Sequence, residues 1–209
     1  MKYIIKMIKL IDLLKEVEDA SLNKILIPRR SREERAKNWI VELNKQIQQY
    51  IKNGSKGDLN LSHTPITSLP AGLKVEGNLY LYDTQITSLP ADLKVGRSLD
   101  LRNTQITSLP ADLKVGGYLD LHRTQITSLP AGLKVRGSLY LGSTPITSLP
   151  AGLSVEGSLD LSNTKITSLP ADLKVEGGLW LNYTLLSKKY TKEQIKAMVP
   201  GVKGTILLK

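Results

Sequence analysis

The sequence predicts a repeat solenoid with α+β caps, in which short parallel strands stack into one β-sheet. Three observations predict this fold. A 20-residue unit recurs through residues 57–186, every copy carries two leucines separated by one residue, and six copies carry a Ser-Leu-Pro triplet. A unit this short cannot bury its own apolar face, so neighbouring copies must stack and build one continuous core.

The repeat reads VxGxLxLxxTxITSLPAxLK. Its copies begin at Val75, Val95, Val115, Val135, Val155 and Val175, and a partial copy starts at Gly57. In the Leu-x-Leu segment both leucines point to one face of a strand, and the residue between them points to the other. Parallel stacking places each leucine on its counterpart in the next coil, which predicts a ladder of strands with a leucine core behind it.

The segment that returns the chain to the next strand contains proline in six copies. Proline fixes its own φ and disfavours the helical conformation in the residue before it. We therefore expect a non-helical convex side, made of polyproline-like segments or short 3₁₀ turns.

The unit resembles the leucine-rich repeat in its short bacterial form, as found in the repeat region of secreted bacterial effectors. LxLxxTxI matches the LxLxxNxL segment of that family, with threonine at the asparagine position, and ITSLPAxL resembles its leucine-proline returns. The resemblance implies a binding surface on the strand side, a helical pair before the repeats, and a turn in which the threonine replaces part of the asparagine's hydrogen bonding. The ubiquitin ligases of that family use a separate domain with a cysteine nucleophile, and this chain contains no cysteine.

Residues 1–56 are expected to form an N-terminal cap of two helices. Apolar residues recur at helical spacing over residues 3–18, which favours an amphipathic helix of the mature protein over a signal peptide. A second helix is predicted to start near Ser31, with Glu34 completing a capping box, and to end at Gly54.

Residues 187–209 are expected to form a C-terminal cap. Thr191 and Gln194 have the spacing of a capping box, which predicts a short helix that ends before Pro200. The VxGxLxL pattern then returns as Val202-x-Gly-x-Ile-x-Leu, 27 residues after Val175 instead of 20. We expect a displaced last strand that completes a ladder of eight.

The formal charge of +10 belongs to the two ends of the chain. Residues 1–56 hold 13 Lys/Arg against 7 Asp/Glu, residues 57–186 hold 10 against 11, and residues 187–209 hold 6 against 1. Nucleic-acid binding through a basic cluster in the N-terminal cap is therefore an alternative function, although such clusters are more often solvated helix faces. The cluster comprises Arg29, Arg30, Arg32, Arg35 and Lys37.

Residues on the outer face of the strands are the candidate binding residues. These positions differ between copies, whereas the returns are nearly identical, and tyrosine, tryptophan, arginine and aspartate are typical of binding surfaces. Ordinary solvated strand residues are the alternative interpretation. The candidates are Tyr80, Tyr82, Asp100, Arg102, Tyr118, Asp120, His122, Tyr140, Asp160 and Trp180.

Catalysis has little support in the sequence. The two histidines, His63 and His122, fall three coils apart, and no serine-histidine-acid set or phosphate-binding loop is present. Asp100 and Asp120 are expected to be strand neighbours, an arrangement that is more often a solvated acidic patch than a catalytic or Ca²⁺-binding pair. We expect no enzyme activity, no cofactor and no metal.

These observations predict a non-catalytic module that binds another protein through its strand face. Carbohydrate binding is an alternative, since exposed aromatic rings beside carboxylates also suit sugars, and nucleic acid is a less favoured partner. Ice binding by the threonines from Thr67 to Thr167 ranks last. No run approaches the roughly 18 apolar residues of a membrane span. Because no signal peptide is recognised either, the expected location is the cytoplasm, with export by a signal-less route left open.

Overall fold

The computed structural model describes residues 32–208, with side chains from residue 38 onward. The chain divides into two compact units, residues 1–49 and residues 50–209. The helix predicted over residues 3–18 and the cap predicted at Ser31 lie outside the described residues.

Helix α1 spans Arg32–Lys52, where the sequence predicts the second helix of the N-terminal cap. Its apolar residues keep the helical period, and Leu43 and Ile47 are buried while Trp39 remains exposed. The helix ends as predicted beside Gly54, whose positive φ lets its N–H donate to the carbonyl of Ile51.

Eight two-residue strands form one parallel sheet, and each pairs in register with the next coil. The last strand pairs with its predecessor through Leu179–Ile206 and Trp180–Leu207, so the displaced eighth strand is confirmed. The sheet order is β1 (Leu59–Asn60), β3 (Leu79–Tyr80), β5 (Leu99–Asp100), β7 (Leu119–Asp120), β9 (Leu139–Tyr140), β11 (Leu159–Asp160), β13 (Leu179–Trp180) and β14 (Ile206–Leu207).

The core of the solenoid is made of equivalent residues from successive repeats. Both leucines of every Leu-x-Leu segment are buried, as are the isoleucine of the return and the valine that opens each unit. Because each coil contributes the same few side chains, the core is one continuous apolar column, as the repeat predicts.

The turn after each strand is built from two adjacent residues. The first has a left-handed backbone, with φ between 55° and 58°, in seven successive coils from His63 to Tyr183. The second is the threonine of the repeat, whose hydroxyl donates to the carbonyl three residues earlier at 2.6–2.8 Å in all seven coils from Thr64 to Thr184. The threonine therefore takes over part of the hydrogen bonding expected of the asparagine.

The returns contain no helix in the described coils, which confirms the predicted non-helical convex side. They also contain two short parallel sheets, which the repeat pattern does not predict. These are β2 (Lys74–Val75), β4 (Lys94–Val95) and β6 (Lys114–Val115), and then β8 (Lys134–Val135), β10 (Ser154–Val155) and β12 (Lys174–Val175). Each valine enters the core while its neighbour faces solvent, so the coil has a second ladder at the end of the return.

The C-terminal cap contains two short helices. Helix α2 spans Leu185–Lys189 and was not predicted; Thr184 and Ser187 form its capping box. Helix α3 spans Lys192–Met198 and begins at the predicted capping box of Thr191 and Gln194. None of the helices in the described part of the chain combines the length and apolarity that a membrane span requires.

Candidate functional site

The ten candidate residues lie on or beside the outer face of the eight-stranded sheet. Six occupy the outward position of a strand, three follow it by two residues, and Tyr118 precedes β7. Ion pairs and ring contacts join nine of them directly, and Tyr80 pairs in strand register with Asp100. The structure thus brings together residues that span 101 positions of sequence, from Tyr80 to Trp180.

Asp100 forms the first fixed pair of this face. Its carboxylate accepts hydrogen bonds from Nε of Arg102 at 2.9 Å and from Nη2 at 2.6 Å, the two-pronged geometry that makes such pairs strong. The same guanidinium lies 3.5 Å from Asp120 and 5.2 Å from the centre of the Tyr82 ring. Hydrogen bonding to Asp100 raises the pKa of Arg102, so its charge is permanent.

His122 bridges two carboxylates. Its Nδ1 lies 2.9 Å from Asp120 Oδ1, and its Nε2 lies 3.0 Å from Asp160 Oδ2 on a strand two places away. Hydrogen bonds to Asp120 and then to Asp160 raise the pKa of His122 to about 9. At neutral pH the imidazole is therefore a cation that donates to both carboxylates.

Asp160 is the buried end of this bridge, with 6% of its surface exposed. Burial raises the pKa of its carboxyl, but hydrogen bonds from His122 and Ser162 outweigh burial and hold the pKa below its usual range. The Asp160 carboxylate therefore stays ionised and paired with the His122 imidazolium on the face of the sheet.

Gly142 makes the bridge possible. A Cβ atom at this position would lie 2.5 Å from His122 Nε2 and 3.3 Å from Asp160 Oδ2. The distance to His122 Nε2 is well below a normal van der Waals contact. Every other repeat in the described chain has a side chain in this column. The glycine therefore leaves the space through which His122 passes over the intervening strand.

Two of the candidates differ from their expected exposure. Asp100 is 2% exposed and Asp160 is 6% exposed, although their strand positions face away from the leucine core. Arg102, two residues after Asp100, pairs with the first carboxylate, and His122, which lies two coils before Asp160, pairs with the second. Asp100 and Asp160 therefore hold Arg102 and His122 in position, and these two partners are the more exposed side chains of each pair.

A repeated local contact fixes these carboxylates. Oδ1 of the outward strand residue accepts the backbone N–H two residues later in four coils: Asn60 to Ser62, Asp100 to Arg102, Asp120 to His122 and Asp160 to Ser162. The sequence signal is an aspartate or asparagine between the two leucines, because these short side chains readily bond the backbone two residues on.

The aromatic candidates form a chain beside the charged network. Tyr118 and Tyr140 are 6.3 Å apart between ring centres, Tyr140 and Trp180 are 6.4 Å apart, and His122 stacks on Tyr140 at 5.7 Å with an interplanar angle of 26°. Each of these rings is half-buried. The rings therefore offer apolar area while their neighbours restrict their rotation.

An open depression of about 500 Å³ lies beside this face, where strands β3, β5, β7 and β9 end. Three of its lining residues follow a strand by two positions, one lies on β7, and four belong to the left-handed turn column, whose role in a surface depression the repeat pattern does not predict. The lining residues are Tyr82, Arg102, Asp120 and His122, with Asp83, Asn103, Arg123 and Ser143.

Other candidate sites are less developed. In the described part of the chain, no three histidine or acidic side chains are grouped so that they could hold a metal ion. His63 lies 3.3 Å from Asp83 and contacts the Tyr82 ring edge-on, in a coil three places from His122. The side chains of the basic cluster at Arg29–Lys37 lie outside the described residues.

No family model matches this chain, and no curated protein matches its sequence. Among solved structures, the chain is similar to the leucine-rich-repeat domain of a Shigella effector. The two are 16% identical, the alignment covers 80% of this chain and 88% of that domain, and the TM-score is 0.48.

Proposed function

We propose that this protein is a non-catalytic module that binds another protein through the outer face of its eight-stranded sheet. The observation that supports this most is the network in which Asp100 holds Arg102 and His122 joins Asp120 to Asp160. Side chains held in one conformation before binding lose less entropy when a partner docks.

The composition of the face supports a protein partner. Half-buried tyrosines, a tryptophan and an arginine are the residue types that carry most of the binding energy in protein interfaces. Carboxylates on an exposed face can bind sugar hydroxyl groups only where they are accessible and unpaired. Because Asp100 and Asp160 are buried and already paired, the face suits a protein better than a carbohydrate.

The test begins with partner capture from an extract, using the full chain as bait. Replacing Tyr80, Tyr140 and Trp180 together with serine should abolish capture of the proteins that wild type retains, and the circular dichroism spectrum should be unchanged. A matched control replaces three exposed threonines of the returns, Thr87, Thr127 and Thr167, with serine, and should capture the same proteins as wild type.

Each captured protein is then purified and its affinity measured by calorimetry. Loss of the three aromatic anchors should weaken binding by at least about 100-fold. If the aromatic variant binds as tightly as wild type, the strand face is not the binding surface.

A further inference from the structure

The depression beside the strand face contains both carboxylates and guanidiniums in its lining. It is lined by two carboxylates, and both are engaged. Asp83 accepts from Asn103 Nδ2 at 2.8 Å, and Asp120 contacts His122 at 2.9 Å and Arg102 at 3.5 Å. Both carboxylates of the depression therefore already have partners on the protein.

Its donors are not all bound. Arg102 uses Nε and Nη2 on Asp100, and Nη1 has no partner in the described part of the chain. Arg123 is exposed, and its guanidinium makes no hydrogen bond or ion pair with any described residue. Both side chains line the same depression, which therefore contains two guanidiniums whose remaining N–H groups have no partner among the described residues.

One of the two guanidiniums is also held in position. Asp100 fixes the plane of Arg102 from one side, and the Tyr82 ring lies 5.2 Å from its central carbon. A guanidinium presents its donors in a planar fork that matches the two oxygens of a carboxylate. Arg102 is therefore ready to bind an anion without further ordering.

We propose that the depression between Arg102 and Arg123 receives a single aspartate or glutamate side chain of the bound protein. This inference rests on the proposed protein-binding function and adds the chemistry of one anchor. A carboxylate carries one negative charge, whereas a phosphate carries about two at neutral pH. Because Asp83 and Asp120 also line the depression, the singly charged group meets less repulsion.

The test uses the full chain and blocked pentapeptides that need no knowledge of the natural partner. Three peptides have the form acetyl-Gly-Ser-X-Ser-Gly-amide, with glutamate, glutamine or phosphoserine as X. The signals followed are the side-chain Nε–H resonances of Arg102 and Arg123 in nitrogen-proton NMR spectra. The glutamate peptide should shift both signals with saturation in the millimolar range, and the glutamine peptide should bind at least about tenfold more weakly.

Two variants of the chain locate the site. Arg123→Gln should weaken binding of the glutamate peptide by about fivefold to tenfold. Arg136→Gln is the matched control, since Arg136 is also exposed but follows β8 and is not among the residues that line the depression, and the affinity of this variant should equal that of wild type.

Three results would overturn the acidic anchor: equal shifts from the glutamate and glutamine peptides, an unchanged affinity in Arg123→Gln, or tighter binding of the phosphoserine peptide than of the glutamate peptide. None of these bears on the aromatic variant. If the peptide test fails while partner capture still depends on Tyr80, Tyr140 and Trp180, only the anchor is wrong. If capture survives loss of the three rings, the proposed function itself is wrong.

Discussion

His122 Nε2 lies 3.0 Å from Asp160 Oδ2, although the two residues are 38 positions apart and belong to coils separated by a third. Neighbouring coils of a solenoid contact each other along the whole ladder, whereas this contact passes over the coil between them. Gly142, in that coil, leaves the space that the His122 ring occupies. The bridge thereby fastens three coils together at the centre of the proposed binding face.

The bridge makes stability depend on pH. The pKa of His122 is raised from 6.5 to about 9, so its stabilising contribution is complete below pH 6.5 and is lost as the pH rises through 9. Because the side chain is partly exposed, we expect a loss on the order of 1–2 kcal/mol after solvent screening. Urea unfolding midpoints between pH 6 and 10 measure this loss.

The matched variant is His122→Gln, which cannot titrate. It should be less stable than wild type at pH 7, because two carboxylates lose a cationic partner, and its stability should change little between pH 7 and 9. Parallel stability curves for the variant and wild type over this range would show that His122 is not the titrating group.

Gly142→Ala should break the bridge without changing any charge. Gly142 does not have a positive φ, so alanine is compatible with the backbone and the conflict is with His122 Nε2, 2.5 Å from the added Cβ. The ring must leave Asp160. We expect a loss of about 1–3 kcal/mol of stability, measured by urea unfolding at pH 7, together with a fall in the apparent pKa of His122 followed by NMR.

The control places the same alanine in a His122→Ser background, where the ring is absent and the space is free. The cost of Gly142→Ala should then fall below about 1 kcal/mol, and the difference is the coupling energy between the two positions. Equal costs in both backgrounds would mean that the glycine serves another purpose.

The fold could be predicted almost completely from the sequence because the same residue pattern recurs in every repeat. Leu-x-Leu sets the strand, proline excludes a helix from the return, and copies separated by 20 residues must stack. The displaced strand at Ile206 was predictable for the same reason. The Lys-Val strands were missed because two residues with one buried side chain leave too short a pattern, and their pairing exists only once the coils are stacked.

The site could be predicted in position but not in its contacts. Strand alternation placed Asp100 and Asp160 on the outer face, yet their burial depends on Arg102 and His122 folding over them. The reach of His122 across a coil depends on an absent side chain at Gly142, which no local pattern reports. Arg123 was not predicted as a site residue, because the repeat pattern does not show that the turn column borders a depression.

The left-handed turn column contains residues that are energetically unfavourable in this backbone conformation. Asparagine and aspartate tolerate this conformation well, but Tyr183 occupies it with φ of 57° and is 72% exposed. Tyr183→Asn should therefore stabilise the chain by about 0.5–1 kcal/mol, seen as a higher urea midpoint. Leu185→Asn, an exposed apolar residue within α2, is the control and should bring no gain. A gain in both variants would point to removal of surface apolarity instead.

The second ladder stacks like charges. Lys94 lies in register between Lys74 and Lys114 in one short parallel sheet, and all three side chains face solvent. In the other sheet Ser154 takes the equivalent central place between Lys134 and Lys174. Like charges directly opposite each other on neighbouring strands are destabilising, so the first sheet carries a repulsion that the serine relieves in the second.

Exchanging the two central residues tests this repulsion in both directions. Lys94→Ser should raise stability by about 0.5 kcal/mol at low ionic strength, and Ser154→Lys should lower it by a similar amount. Both effects should shrink in 1 M salt, where charges more than about 3 Å apart are screened. Thermal unfolding of the two variants and wild type at low and high salt provides the measurement. Changes that are the same at both salt concentrations would assign the difference to strand propensity and not to charge.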